Sequence, residues 1–349
     1  MAKTQVGSTD DVTRIAWEEK LFRDTLKDIF FMVFHGKSDS MVHEKTDPKG
    51  TQKQGSQPAT QVVFTLRQRQ TGSGVTSRQT LEGNEESLTT FSHTLSLEEY
   101  ANAIRDAGPL DRMRPFYKMD EESRTGIKDW GAEKQDELHF DAIQTSPTRV
   151  FAPTQAAPYI TTPLASAKTA LTTSDKPTPE FLSKLRVYAR TGGARTIIPL
   201  RPVRVPGFNK DLYVFLTHDD AVYDFVQDSK MQQNLREARE RSKNHPLFMG
   251  AVGYTTDGVV IFGHENMNIG LNAGAGSNVP FAQGAFMGAQ ALVFAWGMRP
   301  KVVSKNFDYD REHGHSWQVI SKVEKPVFDS EDYGSFGVIV NRTSISDAT

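Results

Sequence analysis

Between residues 61 and 97 apolar and polar positions alternate. Val62, Phe64 and Leu66 interleave with Val63, Thr65 and Arg67, and Phe91, His93, Leu95 and Leu97 interleave with Ser92, Thr94 and Ser96. A period of two is that of a half-buried strand. The two runs are joined by Gln70 to Thr90, which predicts a long projecting hairpin with a glycine-bearing tip. Residues 115–143 carry a different period. Phe116, Met119, Ser123, Ile127, Trp130, Lys134, Leu138 and Ala142 recur every three or four positions, a narrow and partly apolar stripe on a charged cylinder. This predicts one long surface helix, opened by Pro115 and stopped before Pro147. Its length would be roughly 40 Å. Gly126 and Gly131 each weaken it by about 0.5–1 kcal/mol relative to alanine, so it needs a bed to lie on.

The remaining chain reads as shorter elements. Asp10, Asp11 and Thr13 precede Ile15, Trp17, Leu21, Phe22, Leu26, Ile29 and Phe30, a helical pattern running to about Phe34 and ended by Gly36. Residues 37–60 are polar and turn-rich. After a stretch at 144–178 with prolines at 147, 153, 158, 163 and 177, Thr178-Pro179-Glu180 opens a helix that stops before Gly192-Gly193. Ile197–Leu200 and Leu212–Leu216 read as buried strands. Thr217 with Asp220 resembles a helix cap, and Asn234–Lys243 a short solvated helix. Ala251–Tyr254 and Val259–Phe262 bracket Thr255-Thr-Asp-Gly258 as a hairpin. Gly284–Gly297, apolar and rich in small residues, reads as a close-packed helix. Strands follow at Val302–Phe307, Trp317–Val323 and Phe336–Val340; with the base of the long hairpin they are the expected bed for the long helix. The class is α+β.

Composition adjusts this picture. Only 37% of the 349 residues are hydrophobic, which leaves much of the chain as arm, loop or interface. With 41 basic and 43 acidic residues the net charge is −2, so no global attraction to nucleic acid or anionic membrane is encoded. There is no cysteine, hence no disulfide, thiolate metal site or cysteine nucleophile. The opening residues lack the apolar core of a secretory signal and no window is apolar enough to span a membrane, which points to synthesis in a cytoplasm. Asn341-Arg342-Thr343 matches a glycosylation sequon, a pattern common by chance.

Candidate chemistry is sparse. His313-Gly-His315 beside Asp308, Asp310 and Glu312 offers metal-ligating atoms, yet the spacing matches no defined ligand motif and a hydrated turn between strands explains it better. Gly72-Ser-Gly74 and Gly274-Ala-Gly276 lack the spacing of a phosphate loop. Glu85-Glu86 and Asp219-Asp220 are sequence neighbours that point apart. Arg236, Arg239, Arg241 and Lys243, interleaved with Glu237 and Glu240, read as a solvated helix face. No catalytic, cofactor-binding or metal-binding residues are assigned. The hairpin holds the strongest charge pattern: Arg67, Arg69 and Arg78 on the rising side, Glu82, Glu85 and Glu86 on the descending side. A two-stranded ribbon buries little of itself and is marginal in water.

The order arm, long charged hairpin, long helix, α+β region and returning strands resembles that of tailed-phage major capsid proteins. Thr71-Gly-Ser-Gly-Val75, Leu81-Glu-Gly-Asn-Glu-Glu86, Gly288-Ala-Gln-Ala-Leu292, Phe307-Asp308-Tyr309 and Lys325-Pro-Val-Phe-Asp-Ser-Glu-Asp-Tyr-Gly334 are similar, in order, to the N-four-like phage capsid family. The likeness runs from Trp17-Glu-Glu-Lys-Leu-Phe-Arg23 to Val340; the stretch at 144–178 departs from it. The resemblance implies the Hong Kong ninety-seven type fold: an N-terminal arm with helix at 1–54, an E-loop hairpin at 55–100, a P-domain with spine helix at 101–143, an A-domain at 144–300, and returning P-domain strands with a tail at 301–349. It implies a shell subunit that pairs with copies of itself in hexamers and pentamers through Arg67, Arg69, Arg78, Glu82, Glu85 and Glu86. It further implies a separate scaffolding protein, a portal, a decoration or cement protein, and weak non-specific contact with packaged double-stranded DNA. Two other readings compete: an encapsulin-like compartment, told apart by the particle's contents, and a metal-dependent hydrolase using His313, His315 and Asp308.

Overall fold

The computed structural model describes residues 30–36, 39–45, 61–70, 72, 74–115, 118–153, 164–195, 199–205, 211–239 and 254–345. In chain order a 3-10 turn, Phe31–Phe34, leads into β1 (His35–Gly36), β2 (Val42–Lys45), β3 (Gln61–Arg67), β4 (Thr90–Ser96), β5 (Glu98–Arg105), α1 (Pro109–Met113) and the long helix α2 (Met119–Gln144). Then come β6 (Val150–Phe151), α3 (Leu164–Ala170), α4 (Pro179–Arg195), β7 (Val203–Arg204), β8 (Asp211–Thr217), α5 (Asp219–Gln227), α6 (Ser229–Arg239), β9 (Tyr254–Thr256) and β10 (Val259–Gly263). The last are β11 (Ile269–Ala273), β12 (Val279–Met287), β13 (Leu292–Phe307), β14 (Glu312–Glu324), β15 (Val327–Phe328), β16 (Glu331–Asp332) and β17 (Ser335–Asn341). The chain divides into a smaller compact unit, Met1–Lys27 with Tyr100–Glu133 and Pro300–Val319, and a larger one, Asp28–Glu99 with Lys134–Arg299 and Ile320–Thr349.

The larger unit is built on a sheet of order β6-β17-β12-β8-β10-β9, with β11 added to β12 and β7 to β8. Alternate residues of its central strands face opposite layers. Phe336, Val338 and Val340 of β17, with Ala282 and Phe286 of β12, pack against Phe181, Leu182 and Leu185 of α4 and Phe225 of α5. Ile339, Val279 and Phe281 face the other way, toward Ala167 of α3 and Leu171. Each such buried side chain stabilises the fold by roughly 1.5–3 kcal/mol. Both faces of these strands are covered, so their sequences lose the period of two.

That loss explains the main correction. Gly284–Gly297 forms no helix; it supplies the end of β12, a turn and the start of β13. Its small residues mark close strand approach: a Cβ on Gly284 would stand 2.8 Å from the Phe215 ring and 3.0 Å from Leu216 O. Smaller corrections follow. His218, not Thr217, caps α5, its Nδ1 accepting from Asp220 N at 3.2 Å. Pro199 and Leu200 lie outside any strand, while Ile197 falls outside the described residues. Thr255 and Thr256 belong to β9, leaving a two-residue Asp257-Gly258 turn with φ of 41° and 76°, values a primed hairpin turn requires. Thr178 does cap α4, its Oγ1 accepting from Phe181 N at 3.2 Å. Asn341 of the sequon is buried and donates to Pro280 O at 2.9 Å. The expected helix at 15–29 and most of the polar stretch 37–60 lie outside the described residues; Val42–Lys45 of that stretch forms β2, parallel to β13.

α2 starts at Met119, four residues after Pro115, and its buried line differs from the apolar stripe. Ile127, Gly131, Gln135, His139 and Ile143 are buried, with Asp136, Phe140 and Gln144 beside them. Polar groups here are buried because each is bonded. Asp136 accepts from Phe31 N at 2.9 Å and Phe30 N at 3.1 Å, and Gln144 bridges Asn266 O at 3.1 Å and Asn268 N at 2.6 Å. Within the smaller unit Trp130 meets Trp317 edge to face at 5.6 Å. The sheet of order β1-β2-β13-β14-β5 contains the returning strands but not the long hairpin, whose strands, among the described residues, pair with each other.

Candidate functional site

The long hairpin belongs to the larger unit and is exposed over most of its length. β3 and β4 run antiparallel in the register Val62↔Leu95, Phe64↔His93, Leu66↔Phe91, so the alternating apolar residues share one face. At the base that face is anchored: Phe64 and Leu95 pack with Val293 and Ala295 of β13. His93 adds a ring contact to Phe328 at 6.4 Å, and its Nε2 stands 3.3 Å from Glu324 Oε2. Farther out no described residue of the chain covers the ribbon. Every described residue from Gln68 to Thr90 is exposed except Val75, which is half-buried.

The outer ribbon holds its shape by local bonds. Gln68 N donates to Thr89 O at 2.9 Å, extending the ladder, and Gly72 N donates to Glu86 Oε1 at 2.9 Å. Two turns follow, with Gln79 N bonded to Thr76 O at 3.3 Å and Asn84 N to Leu81 O at 3.0 Å. Glu85 accepts from Gly83 N at 2.8 Å. Arg67 closes β3, while Arg69, Arg78 and Glu82 project from the tip region; among the described residues none of these four makes an ion pair within the chain. Sequence reasoning passed over Leu81 and Leu88, which stand 68% and 60% exposed at the tip. Their signal was two leucines in an otherwise polar loop.

The histidine cluster is assembled differently from its sequence spacing. Asp308 turns away to Arg311, at 3.3 Å, in the β13–β14 turn. His313 instead meets Asp120 at the start of α2, Nδ1 to Oδ2 3.3 Å, and its backbone N donates to Asp106 Oδ1 at 2.6 Å. In the larger unit a second histidine pair joins fully buried His139 to half-buried His35. His139 lies between the rings of Phe31 and Phe294, at 5.4 and 5.3 Å, with Nδ1 donating to Gln135 O at 2.6 Å and Nε2 2.9 Å from His35 Nε2. Burial, and then the neighbouring His35, push the His139 pKa from 6.5 down to about 3. Burial also lowers His35, against the opposing pull of Glu44. These groups hold strands to helix and present no open cleft.

Among the described residues, an exposed ribbon thus accompanies an α+β chain. Residues 3–343 match the family described as phage capsid protein. The chain belongs to this family. The major capsid protein of Pseudomonas phage KPP25 is 29% identical over 368 residues, covering 94% of each chain. The capsid of Ralstonia phage GP4 superposes with a TM-score of 0.76 at 22% identity, covering 99% of both chains. The capsid asymmetric unit of cyanophage Pam1 gives 0.80 at 16% identity, covering 99% of this chain and 100% of that one. The fold is the Hong Kong ninety-seven type, and this capsid protein is the major capsid protein of a tailed phage, a structural protein and not an enzyme. The hydrolase and encapsulin readings are set aside by that membership.

Proposed function

We propose that copies of this subunit assemble as hexamers and pentamers into an icosahedral head around double-stranded DNA, and that the β3–β4 ribbon is the E-loop, lying across a neighbouring subunit. Arg67, Arg69 and Arg78 meet carboxylates of that neighbour, and Glu82, Glu85 and Glu86 meet its basic groups. The observation that carries this reading is the ribbon's outer half, which is shaped by its own turns, exposed among the described residues, and tipped with two exposed leucines. Exposed ion pairs are worth only about 0–1 kcal/mol each, but a shell repeats every contact many times.

Residues 101–143 with 301–349 serve as the P-domain and 144–300 as the A-domain. The gathering of 100–133 with 300–319 in one compact unit supports the first part of that division; 134–143 and 320–349 gather instead with 144–299 in the other unit. Head assembly takes place in the bacterial cytoplasm with a separate scaffold and a portal, with a decoration protein on the mature head; the near-neutral net charge suits weak, non-specific contact with the genome. Reversing Arg67 and Arg69 to glutamate together should leave the far-ultraviolet circular dichroism of the subunit unchanged. In velocity sedimentation of protein co-expressed with its scaffold, shell-sized particles should fall at least severalfold. Particles at the wild-type yield would refute the interface.

A further inference from the structure

We propose that Asp106, Asp120, His313 and His315 form a binding site for one divalent transition-metal ion of the zinc class, distinct from the ribbon and internal to the smaller unit. Ligand atoms of Asp106, Asp120 and His313 lie within 4.8 Å of one another. The Nδ1–Oδ2 separation between His313 and Asp120 is 3.3 Å, about the edge of a tetrahedron whose centre binds nitrogen and oxygen at 2.0–2.2 Å.

An independent observation comes from His315. Its side chain is only 5% exposed, its Nδ1 is held by Ser304 Oγ at 2.9 Å, and its Nε2 has no hydrogen-bond partner while standing 3.7 Å from Asp120 Oδ1. A buried ring nitrogen is seldom left unpaired, because its lone pair or proton loses water without replacement. A ring fixed through one nitrogen with the other aimed at a carboxylate is also how metal-bound histidines are oriented. Two imidazoles and two carboxylates suit zinc and its neighbours better than calcium or magnesium, which take oxygen almost alone.

Asp106 is braced for this part. Its Oδ1 accepts from His313 N at 2.6 Å, its own N donates to His313 O at 3.0 Å, and Arg112 Nε stands 3.3 Å from Oδ2. That guanidinium offsets one carboxylate; the second is the charge a bound cation would neutralise. The ion would tie the first turn of α2, the segment after β5 and the start of β14, which are 193 and 207 residues apart in sequence, in a chain that has no cysteine for a disulfide.

The test uses tag-free full-length subunit, stripped with a chelator and titrated with zinc chloride alone by calorimetry, with metal content after dialysis read by mass spectrometry. One zinc per chain is expected, with affinity lowered at least tenfold in Asp120→Asn and in His313→Gln, both partly exposed positions that should fold without metal. Asp308→Asn should bind as wild type. Fewer than one zinc in ten chains, or affinity unchanged in Asp120→Asn and His313→Gln with dichroism intact, would overturn the site. So would an Asp308→Asn loss as large as that of Asp120→Asn. Cobalt(II) supplies a second readout: its tetrahedral visible bands should appear with wild type and vanish with His315→Gln, and bands unaltered in that variant would exclude His315.

Discussion

Acid should loosen the larger unit through His139. In the unfolded chain this imidazole takes its proton near 6.5, but in the folded chain only near 3, because burial between Phe31 and Phe294 opposes the charge and His35 opposes it further. The folded pKa is depressed, so the unfolded state binds the proton first as pH falls; stability is complete above about 6.5 and is lost progressively toward 3. At pH 5 the loss from this residue alone is about 2 kcal/mol. His35, lowered in the same direction, adds to it. Asp136, raised by burial, works in the opposite direction as pH falls, and comparison of the wild type with the variant below cancels its contribution. The perturbation is His139→Phe. A phenyl ring keeps the stack but gives up the bonds to Gln135 O and His35, costing about 1–3 kcal/mol at pH 7. Its dependence on pH between 7 and 5 should shrink by about 2 kcal/mol. Urea unfolding of the dissociated subunit, followed by tryptophan fluorescence at each pH, measures both numbers. Parallel pH profiles for the two proteins would refute the reasoning.

Two further substitutions test packing. Gly126→Ala should stabilise α2 by about 0.5–1 kcal/mol, since nothing stands within 4 Å of the added carbon, whereas Gly131→Ala should destabilise by about 1–3 kcal/mol because that carbon would fall 2.4 Å from the Trp317 ring. Thermal melts that rank the two the other way would show that α2 does not meet Trp317. Arg342→Met should cost about 3–5 kcal/mol by removing the guanidinium that pairs with buried Asp220, and adding Asp220→Asn should recover part of that. A double variant no more stable than the single would mean that the pair carries no coupling.

The period-two runs of β3 and β4 and the charge on their tip were legible in the chain, because one covered face and one bare face leave alternation in the residues themselves. The length of α2 was legible too, and so was its neighbour-dependence: a helix that polar needs packing. Which of its faces is buried was not legible, since Gln135, Asp136 and His139 are polar by type and are buried only because Ser321, Phe31 and His35 arrive to bond them. Nor could Gly284–Gly297 be read correctly. An apolar run with small residues suits a packed helix and a doubly covered strand equally, and only the approach of Phe215 and Arg201 distinguishes them.

The same division holds for chemistry. Local order put His313 beside Asp308; the fold brought it instead to Asp106 and Asp120, some two hundred residues away along the chain. By itself the amino-acid order determined the periodicities, the absence of cysteine and the surplus of polar surface, all of which are additive over neighbouring residues. Partners, buried faces and the grouping of titratable side chains were decided by tertiary structure, because they depend on contacts between segments that no local window contains.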